Sequence, residues 1–178
     1  KDVILYMTDQ YEKNPAITII THRNYDRIDN VSVFLIASPI IKKWHPQLTI
    51  GLQKQWMDIE HNSRMLSMDR PLFIGRFNNG IQFPYGWTLH VDLFFQGKGD
   101  FQNIYINKNV FMMDASLTKS FFDDRLSFNL QGIDLTHGRK DGNVIYNKHM
   151  DLTVNNVTDS REVRLTVRYK FNTTKNKY

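Results

Sequence analysis

The chain's 178 residues match one ordinary domain in length; 41% are apolar and the formal net charge is +5. There is no cysteine, which excludes disulfides and thiolate metal sites. The 23 Lys and Arg residues are dispersed, so nucleic acid is not an expected partner, and no stretch approaches the roughly 18 consecutive apolar residues of a membrane helix.

A mean hydropathy of −0.46 accompanies 3 Trp, 8 Tyr and 12 Phe. That mixture suits strands with one greasy and one wet face. In chain order, period two recurs from end to end, whereas no sustained i, i+3, i+4 pattern does. Segments 2–12 and 28–39 read as strands with both faces partly apolar. In 47–58, Leu48, Ile50, Leu52 and Trp56 oppose Gln47, Thr49, Gln53 and Gln55. Within 70–83, Phe73, Phe77, Ile81 and Phe83 oppose Arg76, Asn78 and Gln82. Trp87, Leu89, Val91, Leu93 and Phe95 of 86–98 oppose Thr88, His90 and Asp92.

Segment 108–121 sets Phe111, Met113, Ala115, Leu117 and Phe121 against Asp114, Ser116, Thr118 and Ser120. Segment 125–136 sets Leu126, Phe128 and Leu130 against Ser127, Asn129 and Gln131. The clearest alternation comes last, in 160–172: Val163, Leu165, Val167, Tyr169 and Phe171 face one way, and Arg164, Thr166, Arg168 and Lys170 the other.

The connections alternate in length. Pro84-Tyr85-Gly86 and Phe122-Asp123-Asp124 are tight turns and 40–46 is slightly longer, whereas 13–27, 59–69, 97–108 and 137–159 are long and polar. Short turns at one end and long loops at the other describe an antiparallel up-and-down meander, all-β, forming part of an outer-membrane β-barrel. The count is about eight membrane-crossing strands, with strand-like pieces at 16–21 and 144–154 extending the long loops. Trp44, Tyr85, Trp87, Phe121, Phe122 and Phe171 fall at the short-turn end, where membrane-interface aromatics belong.

Catalytic chemistry is not expected. The six histidines are scattered, with no H-x-x-x-H or H-E-x-x-H spacing, so neither a metal nor any other cofactor is implied. No G-x-S-x-G or Cys–His nucleophile pattern occurs. The basic stripe of Arg164, Arg168 and Lys170 reads either as a lumen-facing surface or as an ordinary solvated strand face. A lumen-facing arginine should find partners such as Asn129 and Gln131 on the neighbouring strand.

Tyr11–Pro15, Pro84–Leu89, Asp114–Leu126, Ile133–Leu135 and Asp159–Phe171, in that order, resemble the outer-membrane β-barrel family found at the C-termini of TonB-dependent receptors of Bacteroidetes. Tyr11-Glu12-Lys13-Asn14-Pro15 resembles its Y-x-K-N-P run, and Pro84-Tyr85-Gly86-Trp87-Thr88-Leu89 its P-x-G-W-x-L hairpin. Asp114 to Phe121, with Lys119-Ser120-Phe121 running into Asp124-Arg125-Leu126, resembles D-x-x-x-x-K-S-F…D-[KR]-L. Ile133-Asp134-Leu135 matches D-[IL]-F in part, with Thr136 in place of an aromatic. Asp159-Ser160-Arg161-Glu162-Val163-Arg164-Leu165 and Tyr169-Lys170-Phe171 resemble the closing strand D-S-R-x-V-R-L…Y-x-F.

The resemblance covers essentially the whole chain. It implies the C-terminal part of a barrel of about 22 strands around a plug, energised through TonB and taking up a glycan, peptide or metal chelate. No plug or TonB box is recognisable here. On this reading Tyr25, Arg64, Phe101, Tyr105 and Tyr146 are the loop residues to test for ligand capture. Tyr169 and Phe171 would carry the closing-strand assembly signal, although Asn172 and six further residues follow. The expected partners are outer-membrane lipid, the plug, the remaining strands, TonB and an extracellular ligand. The alternative is a self-contained eight-stranded barrel that binds a ligand or serves a structural role. As an isolated piece, the chain is expected to close on itself or to self-associate through exposed strand edges.

Overall fold

The structure, a computed structural model, describes residues 3–148 and 150–171. Lys1, Asp2, His149 and the tail 172–178, including the last residue of the expected closing segment, lie outside the described residues.

Among the described residues fifteen strands follow one another. A first hairpin, β1 (Val3–Tyr11) and β2 (Asn14–Tyr25), precedes β3 (Asp29–Ala37) and β4 (Trp44–Trp56). A short hairpin of β5 (Asp58–His61) and β6 (Arg64–Ser67) leads into β7 (Leu72–Phe83) and β8 (Trp87–Gln96). Two three-residue strands, β9 (Gly99–Phe101) and β10 (Ile104–Ile106), precede β11 (Val110–Phe121) and β12 (Leu126–Ile133). A further hairpin, β13 (Lys140–Tyr146) and β14 (Asp151–Val157), leads to β15 (Glu162–Tyr169).

The main sheet is antiparallel, in the order β15-β12-β11-β8-β7-β4-β3. Seven strands thus form it rather than the eight counted from the sequence. The difference lies at the start: 2–12 was expected to cross the membrane, but β1 pairs with β2 in a separate two-stranded sheet, from Val3↔Tyr25 to Gln10↔Thr18. Its partly apolar character has a local cause, because Leu5, Val3 and Met7 pack against Met57, Ile59 and Met68. Segment 16–21 is the middle of β2, and 144–154 is not one piece but most of the β13–β14 hairpin, with β13 also pairing β10.

Turn chemistry fixes the short end. Phe122, Asp123 and Asp124 take consecutive left-handed conformations (φ 54, 51 and 63°), which aspartate tolerates well. In the Pro84–Gly86 turn, Tyr85 and Gly86 have φ of 63 and 76°. Glycine is required at the second of these for two reasons: the left-handed φ, and a Cβ there would lie 2.8 Å from the Ser120 carbonyl oxygen.

Among the described residues the buried hydrophobic core is Leu5, Met57, Ile59, Met68, Leu72 and Val110, all at the long-loop end. Among the described residues no second layer covers the sheet's apolar face, so its side chains stay exposed, with Leu165 at 66% and Val33 at 63%.

Candidate functional site

Residues directly opposite each other in an antiparallel pair share a face, so the register sorts the wall into two. One face runs Val33–Leu52–Phe73, then Leu48–Phe77–Leu93–Met113, then Ile81–Leu89–Leu117–Leu130–Leu165. The other runs Gln47–Asn78–Asp92–Asp114, His45–Gly80–His90–Ser116–Gln131–Arg164 and Gln82–Thr88–Thr118–Asn129–Thr166. Alternation within each strand has become two continuous surfaces, one apolar and one of amides, hydroxyls and charges.

The apolar surface is far wider than the isolated patches a water-soluble monomer exposes. On β7 it extends from Phe73 to Phe83. At ~3.3 Å per residue that is ~33 Å of strand, and a tilt of ~40° reduces its height to ~25 Å, the height of the apolar band on a transmembrane barrel.

Aromatic residues gather at the short-turn edge of this surface. Trp44, opposite Ile81, Trp87, opposite Phe83, and Phe121, opposite Leu126, are all on the apolar face. The Trp44 indole donates to the side-chain oxygen of Asn79 and so satisfies an amide on that face. Phe121 meets Phe128 edge-on at 6.0 Å and Phe122 at 6.4 Å, and Tyr169 meets Phe171 edge-on at 4.7 Å. Tyr85, Phe122 and Phe171 are the most exposed of the set. The six aromatics therefore fall in one belt along the short-turn end.

On the polar face, Arg164 lies opposite Gln131 and Arg168 opposite Ser127. The Arg164 guanidinium does not bond across to Gln131; it forks onto Glu162 of its own strand at 2.9 and 3.1 Å, while Asn129 donates to Thr118 at 3.1 Å. Lys170 follows β15, its backbone N–H donating to Arg125. Nearer the loops, Arg76, Asn78, Asp92, Asp114 and Arg139 line a concavity of about 380 Å³ floored by Phe94 and Met112. Asp92 and Asp114 stand directly opposite one another there, a repulsive pairing, with Arg76 and Arg139 lining the same concavity.

The long loops are knit into a platform by buried polar side chains. Gln55 acts as a strand partner for Gln102: its amide donates to the Gln102 carbonyl at 2.7 Å and its oxygen accepts from the Gln102 N–H at 2.7 Å. Asp100, fully buried, takes the Arg70 guanidinium at 2.9–3.0 Å and the Arg70 backbone N–H at 2.9 Å. His61 Nδ1 donates to the Asn147 carbonyl at 2.7 Å.

Asp134 is 1% exposed and accepts from Ser160, from Gly138 N–H at 2.7 Å and from Arg139 N–H at 3.4 Å. Burial alone would push its carboxyl upward; those hydrogen bonds and nearby His137 outweigh it and hold the group below the ordinary carboxylate range. Gly138 is packed so closely that a Cβ there would lie 1.5 Å from the Phe111 carbonyl.

This network decides where the loop candidates lie. Tyr25, Tyr105 and Tyr146 converge on the loop core. The Tyr25 hydroxyl donates to the Asp58 carbonyl, Arg70 stacks 3.6 Å over the Tyr105 ring, and Tyr146 meets His61 edge-on at 5.4 Å. Arg64 and Phe101 stand exposed beside the hairpin tips at 62–63 and 102–103. The five are therefore split, three building the platform and two presented from it. Sequence reasoning missed the structural roles of these side chains: Gln55 reads only as one of the polar positions of its strand, Asp134 only as part of a motif, and Asp100, in a loop, carries no periodic signal. Among the described residues no group of three His, Asp or Glu is placed to hold a metal ion.

A two-faced antiparallel wall of membrane height, with short turns at one end and folded loops at the other, defines a transmembrane β-barrel wall. The outer membrane protein beta-barrel family matches residues 1–169, and the chain belongs to it; its place is the bacterial outer membrane. No curated protein and no solved structure matches the chain.

Proposed function

We propose that this chain is the C-terminal wall of a TonB-dependent receptor of the Bacteroidetes type, a nutrient importer and not an enzyme. The observation that carries this reading is the polar face. It runs across six strands, from β4 to β15, of a sheet whose edge strands β3 and β15 have no further partner among the described residues, and Arg76 and Asp92 stand exposed on it. In a barrel of about eight strands the inward side chains fill the interior, whereas these line open space, as the wall of a wide plugged lumen would. The ordered P-Y-G-W, K-S-F and D-S-R-E-V-R-L segments support the same reading. In this account the polar face meets the plug, the free edges meet further strands of the same barrel, and the loop platform receives a glycan, peptide or metal chelate from outside. TonB acts through the whole receptor.

The test is uptake by the complete protein in its own cells, with oligosaccharides, oligopeptides and iron chelates as probes. Deleting the receptor and deleting TonB should abolish uptake of the same probe to the same extent. Uptake of every probe unchanged by receptor loss, or receptor-dependent uptake that persists without TonB, would contradict the proposal.

A further inference from the structure

Two lysines interrupt the apolar face, one at each end. Lys54, opposite Val31, lies near the loops with its ammonium 5.4 Å from the Trp56 ring and 3.8 Å from Asp69. Lys119, opposite Trp87 and Phe128, lies at the short-turn end. Its ammonium is 5.1 Å from the Trp87 ring and 5.0 Å from the Phe121 ring, and it donates to the Tyr85 carbonyl. The two sites differ in one respect. Lys54 has a carboxylate counter-ion, whereas among the described residues no carboxylate pairs with Lys119.

The Lys119 site is built by the fold. The Pro84–Gly86 turn is locked against the end of β11, with Gly86 under the Ser120 carbonyl, and this turn brings the Tyr85 carbonyl to the ammonium. An ammonium has three N–H donors; the carbonyl takes one, and the aromatic faces attract the charge without accepting a proton in full. At the midplane of an apolar band a lysine costs ~2–4 kcal/mol, but near the interface the cost falls to ~0–1 kcal/mol. The position of Lys119 is therefore at headgroup level, with Leu117, Ala115 and Met113 following it on the same face of β11 and Leu89 beside Leu117 on β8, an apolar surface on which an acyl chain can lie. The neighbouring turns add Lys42, Lys43 and Arg125; among the described residues the acidic residues of this end, Asp123 and Asp124, make no ion pair with them.

We propose that Lys119, between Trp87 and Phe121, is a binding site for the phosphate of an anionic phospholipid in the leaflet at the short-turn side of the membrane. The lipid supplies the counter-charge that Asp69 supplies to Lys54. The K-S-F and P-Y-G-W segments are then two halves of one lipid site, a role independent of which nutrient the barrel carries.

The test uses the complete protein, reconstituted in vesicles containing spin-labelled phosphatidylglycerol or spin-labelled phosphatidylcholine, with the immobilised fraction read by electron paramagnetic resonance. The unaltered protein should retain phosphatidylglycerol several-fold over phosphatidylcholine. Lys119→Met should bring the two lipids to parity, Lys119→Arg should keep the preference, and Lys54→Met should leave it unchanged. Heat-dependent gel mobility reports that each variant is folded, and Lys119→Gln replaces Lys119→Met if the latter does not fold. Undiminished preference in the folded neutral variants would overturn the proposal. So would displacement of the labelled phosphatidylglycerol by millimolar inorganic phosphate, which would indicate a site for free anions rather than a lipid.

Discussion

Leu93→Arg should destabilise the membrane-inserted protein by roughly 2–4 kcal/mol, the cost of a cationic side chain facing lipid near the middle of a barrel wall. Leu93 lies on β8, the central strand of the seven, opposite Phe77 and Met113, so no rotation of one edge can move it out of the apolar face. Asn78→Arg places the same side chain at nearly the same height on the other face, opposite Asp92. That substitution should cost well under 1 kcal/mol, because the new guanidinium gains a carboxylate neighbour in a wet environment. Urea-dependent folding of the complete protein into phospholipid vesicles measures both. The difference between the two variants, more than either value, reports which face meets lipid.

Asp134→Ala should release the loop between β12 and β15 while leaving the main sheet intact. Asp134 ties Gly138, Arg139 and Ser160 together, and its own N–H donates to Asp114 at 2.7 Å. Each buried donor left without a partner costs about 1–3 kcal/mol, so hydrogen-exchange protection and protease resistance across 134–160 should fall sharply. The same carboxyl carries a pH signature. Its folded pKa lies below the ordinary value, so its stabilisation is complete above the unfolded carboxylate range and is lost as pH falls through the depressed folded value. Loop protection should therefore hold from neutral pH down to about pH 4 and decline below it. In Asp134→Ala that acid-sensitive component should be absent. Loss of the loop would also displace Arg139 from the concavity it shares with Arg76, Asp92 and Asp114.

The wall was legible in the sequence because its physics is local. Alternation in 86–98, 108–121 and 160–172 reports two-faced strands directly, and the register joins those faces without changing them. The short turns were legible for the same reason, since Pro84, Gly86, Asp123 and Asp124 have conformational preferences of their own. The first strand was misplaced because Val3, Leu5 and Met7 look alike to a pattern whether they face lipid or a protein core. What they face is set by Met57, Ile59 and Met68, distant in sequence. The loop platform was illegible for a further reason. Its strands β5, β6, β9 and β10 are three or four residues long, too short for a period to register. Its determinants are single polar side chains such as Gln55 and Asp100, whose partners lie 47 and 30 residues away.

That same long-range packing changes the reading of the loop aromatics. Tyr25, Tyr105 and Tyr146 hold the platform in shape, so on the proposed function a ligand would meet a surface packed by its own side chains, with Arg64 and Phe101 exposed on it. The polar face is organised differently: near the short turns the amides and hydroxyls of Gln82, Thr88, Thr118 and Asn129 are accompanied by Arg168, and near the loops Arg76, Asp92, Asp114 and Arg139 gather around one concavity.

The central claim is that one face of this sheet meets lipid and the other an aqueous lumen. Because this chain has no cysteine of its own, single cysteines placed along β8 of the complete protein can each carry an environment-sensitive fluorophore. In reconstituted vesicles, labels at Leu89, Val91 and Leu93 should be quenched by a lipid-attached nitroxide and be blue-shifted. Labels at Thr88, His90 and Asp92 should respond to a water-soluble quencher instead. Quenching without the two-residue alternation, or alternation of the opposite phase, would contradict the account.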